Sequence, residues 1–391
     1  MSGVVFVSQN KKMNTTKIVL IDSFATYGFH EIFNASILLE ASRTYESVVY
    51  HGTKSAILNL KKILACYNIN NVSFSNLPQI HGKSIFSLLI RYLIATFLCI
   101  YLLNRNRRNK IIIMNNNPFL SVFYSLIRQK VTIFCHGELE LLDTIEMGKF
   151  AKLQSCLLKK AFFKNKMKDN MTFVVLGDSI LNNLGKILPK ENFKRFVSMD
   201  HPYIFHESPS QVRNTNESLI KIGIVGITTL SKGLKELECL LNHPMPNICI
   251  YHIGKIADEG DLLKHKGLYI VKRDKNNNLP REEYVKWINK MDYLLYLYPP
   301  TNYRLTASGA IFESFSNLKP IISLSNDYFN YIVRKTGDIG YIFDTIDEII
   351  HFLKDFCFNK DDYEKQINAL KNGKALFSID SQQKMFEKLI K

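Results

Sequence analysis

The stretch Met291–Ser323, MDYLLYLYPPTNYRLTASGAIFESFSNLKPIIS, decides how the rest of the chain is read. Its short apolar run, Tyr293–Leu297, stops at a Pro-Pro pair, which predicts a buried strand running into a loop. Ser308-Gly309 then opens a helical stretch, Gly309–Asn317, and Lys319-Pro320 leads into a second apolar run, Lys319–Ser323. Strand, loop, helix and strand in that order form the repeating unit of a parallel sheet covered by helices. The first N–H groups of such a helix carry positive partial charge that suits a diphosphate. Gly309, having no Cβ, admits it closely. Glu313 falls on the same helix face one turn deeper, where a carboxylate can accept both hydroxyls of a ribose. Arg304, just ahead of the helix, is a candidate partner for the phosphates, as is the turn at Ser308.

The same alternation extends outward. Strands are expected at Ile220–Val225, Asn247–Ile253 and Gly267–Val271, with helices at Lys232–Leu241 and Glu282–Lys290 and a helical terminus from Ile346 to Lys391. Earlier in the chain, strands are expected at Lys17–Asp22, Ser47–Tyr50, Lys110–Asn115, Lys130–Cys135 and Met171–Leu176. Helices are expected between them at Glu31–Tyr45, Lys54–Tyr67, Ser84–Leu103, Leu141–Lys166 and Ser179–Ile187. Asp200–Glu217, with Pro202, Pro209 and many Ser and Asn, reads as a linker. The prediction is α/β: two doubly wound Rossmann-like domains, 17–205 and 220–375, joined by a linker at 206–219 and facing a central crevice at the carboxyl ends of both sheets. Residues 1–16 are expected to be an unordered extension, and the helix at 376–391 to cross back to the first domain.

Met291–Ser323 resembles the nucleotide-sugar site of the GT-B glycosyltransferases, in particular the family 4 (group 1) enzymes of bacterial polysaccharide assembly. Glu313 matches the second Glu of that family's pattern, and Asn317-Leu318-Lys319-Pro320-Ile321 its closing segment. Ile222–Gly226 followed by Ser231-Lys232-Gly233 is similar to the family's strand–Gly and Lys-Gly segments. The resemblance thus implies Gly226 in the tight turn, Lys232 on the phosphates and Gly254 over the nucleotide base. Phe134-Cys135-His136-Gly137-Glu138 resembles the His-Gly of the first domain, whose His touches the donor sugar. The loop Phe24–Glu31 stands where the acceptor loop is expected, with Gly28 and His30 as acceptor contacts. Two positions depart from the pattern: Leu305 stands where the first Glu belongs, and Ile227 where an Arg belongs. For an inverting reaction, Glu31, Glu138 and Asp22 are the available bases. No Asp-x-Asp triplet occurs, so diphosphate binding is expected to be metal-independent and the nucleotide sugar to serve as substrate, with no resident cofactor.

Composition limits the alternatives. A chain of 391 residues that is 46% hydrophobic can bury a core in each of two domains. The net charge of +16 is concentrated between Lys83 and Asp169, where fifteen Lys or Arg meet five Asp or Glu. Such a stretch seeks an anion. Its lysines alternate with long apolar side chains over Lys149–Lys168, which points to an anionic membrane surface rather than to nucleic acid. Ser84–Leu103 is long enough to cross a bilayer, but Arg91 inside it favours a buried or membrane-facing helix. The seven cysteines form no CxxC pair and the histidines no metal-ligand spacing, so a reducing compartment and no structural zinc are expected. The expectation is a glycosyltransferase on the inner face of the plasma membrane, adding sugar to a glycan or lipid-linked acceptor in capsule, O-antigen or exopolysaccharide synthesis. A nucleotide-sugar epimerase on the same fold and a nucleic-acid binder are the alternatives.

Overall fold

Ile18–Ile21, Ile111–Ile113, Val131–Phe134 and Leu294–Leu297 are buried at every position. Side chains alternate between the two faces of a strand, so unbroken burial requires both faces of the sheet to be covered. The computed structural model describes residues 14–26, 30–79, 82, 84–144, 147–205, 219–257, 262, 265–271 and 279–390. Its first sheet contains β1 (Asn14–Asp22), β2 (Tyr45–Thr53), β3 (Val72–Leu77), β4 (Lys110–Ile113), β5 (Val131–Phe134), β6 (Met171–Val175) and β7 (Phe196–Ser198), in the order β3-β2-β1-β4-β5-β6-β7. The second contains β8 (Ile220–Thr228), β9 (Ile248–Ile256), β10 (Leu268–Ile270), β11 (Tyr293–Tyr296), β12 (Ile321–Leu324) and β13 (Gly340–Phe343), in the order β10-β9-β8-β11-β12-β13. Pairing is parallel from β3 through β6 and throughout the second sheet. In each sheet the order turns back beside its first strand, between β1 and β4 and between β8 and β11. This is the doubly wound α/β architecture, and it is the GT-B fold.

The chain divides into two compact units. One comprises Met1–Cys135, Gly148–Val174 and Gln383–Lys391; the other comprises His136–Met147 and Val175–Gln382. The boundary differs from a single cut near 205, because side chains bind the intervening segments to the second unit. Asn183 Nδ2 donates to Asp327 at 2.6 Å, and Asp200 accepts from Tyr331 and Lys335. In the first unit, Gln383 Nε2 donates to Thr44 at 2.7 Å and to the Glu40 carbonyl at 3.1 Å.

The principal helices of the first unit are α1 (Glu31–Thr44), α2 (Lys54–Ile63), α3 (Ile85–Arg105) and α4 (Lys149–Lys159). Four features differ from the sequence reading. The helix expected over Leu141–Lys166 is a 3-10 turn at Gly137–Leu142, then α4 from Lys149 and a π turn at Lys160–Lys164. Gly148 adopts an extended conformation, which interrupts the run. Leu158 and Phe162, expected on a lipid-facing surface, are fully buried. The helical terminus resolves into helices Ile346–Lys354, Lys360–Leu376 and Ile379–Leu389, the first two started by the side chains of Thr345 and Asn359. Strands β3, β7 and β13 were not expected; β13 is only half-buried along its length and lacks the apolar run that marks a central strand. The linker at 206–219 lies outside the described residues except for Leu219, as do residues 1–13 and Gly28.

Candidate functional site

The turn-back between β8 and β11 places the carboxyl ends of these neighbouring strands side by side, where open α/β sheets bind ligands. A hollow lies there, lined among others by Thr228 at the end of β8, Leu297 and Tyr298 just past β11, and Lys232 with Gly233. The local sequence shapes it tightly. Leu230–Lys232 form a 3-10 turn closed by Lys232 N–H to the Thr229 carbonyl at 2.8 Å, and Gly233 follows in the left-handed region at φ 85°. A Cβ on Gly233 would stand 2.2 Å from the Leu297 carbonyl oxygen, so only glycine lets the turn press against the end of β11. Asn302 ties the Pro-Pro loop to the same turn, donating to the Ser231 carbonyl at 2.6 Å. The result is a half-buried lysine: burial pulls the Lys232 ammonium below the usual lysine range, and no carboxylate pairs with it among the described residues.

Gly226 and Gly254 sit opposite each other in the β8–β9 register. Gly254 has φ 150°, and a Cβ there would fall 1.8 Å from the Gly226 carbonyl oxygen. The close approach of two backbones therefore explains Gly254 without any ligand. Gly226 is left-handed at φ 86° with open space around it. Ile227, where the family pattern has Arg, is 52% exposed and supplies an apolar rim to the hollow.

The Met291–Ser323 stretch differs from its sequence reading. Its helix begins at Ile311, two residues after Gly309, and a Cβ on Gly309 would meet nothing. Ser308 is buried. Glu313 is also buried, and its carboxylate is occupied. Arg281 grips it through Nη1 to Oε1 at 2.6 Å and Nη2 to Oε2 at 3.0 Å; Tyr203 Oη donates to Oε1 at 3.2 Å and Asn317 Nδ2 to Oε2 at 3.4 Å. A carboxylate has about four acceptor positions, and four donors fill them. Burial works against the Arg281 charge, but Glu313 together with Tyr203 and Tyr284 outweighs it and holds the guanidinium above the usual arginine range. Burial likewise raises the Tyr203 hydroxyl, with the Glu313 charge adding to the effect.

Arg304 is also matched: it pairs with Asp143, and its Nε lies 3.9 Å from Asp327. Beside it, Glu140 accepts from the Leu305 N–H at 2.9 Å. Burial raises the Glu140 carboxyl, against the lowering effect of Leu305 and Thr306. A carboxylate from the His-Gly loop thus reaches the backbone at the position where the family pattern carries its first Glu. His136 is buried at the start of this loop, and its N–H donates to Glu138 Oε2 at 2.9 Å, so Glu138 caps the turn.

In the first unit, Asp22 is fully buried and accepts from Asn34 Nδ2, Tyr50 Oη and the Ala25 N–H at 2.8–3.0 Å; burial raises its pKa despite these bonds. Glu31 accepts from Asn59 at 3.1 Å, and His30 takes a left-handed conformation, φ 55°, at the start of α1. Sequence reasoning missed Arg281, Tyr203 and Glu140. None belongs to a motif, and only folding brings each to its partner.

No protein-family model matches the chain, and no curated protein matches its sequence. Solved structures match its fold over nearly its whole length. WaaG, a glycosyltransferase involved in lipopolysaccharide biosynthesis, aligns at 12% identity over 95% of this chain and 98% of its own, with a TM-score of 0.59. HepE of Anabaena in complex with UDP-glucose aligns at 12% identity over the same shares, with a TM-score of 0.60. TarM of S. aureus, as a mutant in complex with UDP, aligns at 11% identity over 96% and 100%, with a TM-score of 0.62. These neighbours are GT-B glycosyltransferases, and at such identity they speak to fold.

Proposed function

We propose that the chain is a glycosyltransferase that takes its sugar from a nucleotide-sugar donor bound at the carboxyl edge of the second sheet. The observation that carries this reading is Lys232. It is a half-buried cation with no acid partner among the described residues, set in a hollow at the β8–β11 turn-back. A lysine with so little solvation is stabilised by an anion, and a donor diphosphate supplies one. The fold, and the nucleotide complexes of HepE and TarM, support the donor class. Arg304 and Glu313 drop out of the donor contacts in this proposal, because other residues already satisfy their charges. Diphosphate binding is then metal-independent, with Lys232 as its cation.

For the acceptor we propose a glycan or lipid-linked molecule of cell-surface polysaccharide synthesis, as the family 4 resemblance implies, with the enzyme resting on the inner face of the plasma membrane. The basic α4 and the exposed face of α3 support that placement. Calorimetric titration with UDP, GDP, ADP and TDP, each with excess chelator, tests the reading. One of them is expected to bind. Binding by none overturns the donor proposal, and binding only after magnesium is restored overturns its metal-free form.

A further inference from the structure

The first unit has its own cavity at the carboxyl edge. Its lining comes from residues immediately after three adjacent strands: Ser23, Phe24 and Thr26 after β1, Thr53 at the end of β2, and Pro78 and Gln79 after β3. Helix α3 roofs it through Arg91, Ile94, Ala95 and Leu98. Arg91 is half-buried. Its Nη2 donates to the Phe24 carbonyl at 2.8 Å and to Thr26 Oγ1 at 3.1 Å, and its guanidinium lies 4.4 Å from the Phe24 ring centroid. No described residue accepts from its Nη1 or Nε, and among the described residues no carboxylate pairs with it. Asp22, whose charge favours the guanidinium from a distance, is occupied with Asn34, Tyr50 and Ala25. The guanidinium therefore still has N–H donors for a ligand oxygen and a charge with no local match.

The outer face of the same helix is apolar and open. Ile85 and Phe86 are each 71% exposed, Phe97 is 60% and Tyr101 56%, with Leu93 and Ile94 between them. Phe86, Leu93, Phe97 and Tyr101 recur at helical spacing and form one stripe, with Ile94 at its edge. Arg105, Arg107 and Arg108 lie at its end. Ile94 belongs to both the stripe and the cavity wall.

We infer that this cavity is an acceptor subsite for a phosphate group carried on an apolar tail, with Arg91 as its cation and the α3 stripe along the tail. The inference rests on the transferase reading and narrows its acceptor to an amphiphilic phosphate. A sugar acceptor without charge would leave Arg91 unmatched; a free phosphate would make no use of the stripe.

Calorimetry on the full chain with decyl phosphate, inorganic phosphate and the neutral decyl maltoside tests it. Decyl phosphate is expected to bind at least tenfold more tightly than either of the others. Arg91→Gln should lose at least tenfold of that affinity and Arg91→Lys should regain part, with nucleoside diphosphate binding unchanged in both. Should Arg91→Gln lower the melting temperature, Phe97→Ser decides instead: on the stripe but outside the cavity lining, it should weaken decyl phosphate while sparing inorganic phosphate. Undiminished binding by Arg91→Gln, or decyl maltoside binding as tightly as decyl phosphate, overturns the site. Equal affinity for inorganic and decyl phosphate overturns the amphiphilic acceptor. Arg91-dependent binding in a chain that binds no nucleotide would remove the transferase reading and leave the site; nucleotide binding without it removes the site alone.

Discussion

Two regions of the second unit, each a candidate donor contact in the sequence, differ in how their charges are satisfied. Around Lys232, Gly233 lets the turn press against the end of β11, and the cation beside it has no acid partner among the described residues. Around Glu313, four donors converge on one carboxylate, and Arg304 is held by Asp143 and Asp327. A buried charge that the protein satisfies is architecture, because removing its partner strands the other charge. A buried charge that the protein leaves unsatisfied costs stability unless a ligand completes it. On the donor-site proposal, the contrast gives the binding role to the first region and the structural role to the second.

The largest expected effect tests the backbone side of this contrast. Gly254→Ala puts a Cβ where the Gly226 carbonyl oxygen stands. The two strands cannot part without breaking the ladder, so unfolding stability should fall by upwards of about 4 kcal/mol. A chemical denaturation curve close to wild type would show that β9 yields easily there, and that the close approach to the Gly226 carbonyl is no constraint.

Next comes Glu313→Ala, which leaves the half-buried Arg281 with its charge unmatched. Stability should fall by about 3 kcal/mol, the low end for a broken buried pair, because the Arg281 side chain is still 36% exposed to water. If instead the melting temperature holds and only nucleotide affinity drops, Glu313 is a ligand contact and the contrast collapses.

Acid probes the same packed region. His201 is buried, its ring 4.7 Å from that of Phe312, and its Nδ1 donates to the Pro202 carbonyl. Burial lowers its pKa to about 4, despite that bond. The folded state therefore holds the ring neutral where the unfolded chain takes up a proton. This contribution is complete above pH ~6.5 and is lost as pH falls through 4. It amounts to about 3 kcal/mol, taking ~1.4 kcal/mol per pH unit. A His201→Phe variant should show a flatter stability profile between pH 4 and 6.5; an unchanged slope would mean that the ring titrates normally.

The smallest effect in energy is the most informative. Lys232→Met should weaken nucleoside diphosphate binding at least tenfold, about 1.4 kcal/mol, without lowering the unfolding midpoint, because it removes a poorly solvated charge. A lower midpoint with unchanged nucleotide affinity would make Lys232 a structural residue like Arg304.

Much of the architecture was legible along the chain. Runs such as IVLI, VTIF and IISL are buried on both faces, and two-sided burial needs only apolar identity and length, which are local properties. The glycines were harder: Gly226, expected in a tight turn, lies within β8, and Gly254, expected over a nucleotide base, is required by the close approach of the Gly226 carbonyl. Strand β3, with its polar alternation, and the three-residue β7 gave too little pattern to read.

By itself, the sequence determined the doubly wound class, the positions of most central strands, and the Lys-Gly turn on the second sheet's carboxyl edge. Only the tertiary structure decided which charged groups are matched. Arg304 finds Asp143 across 161 positions, Glu313 finds Arg281 across 32, and Arg91 reaches the Phe24 carbonyl across 67. Whether a charge is solvated, paired or stranded depends on neighbours in space, and no periodicity along the chain records them.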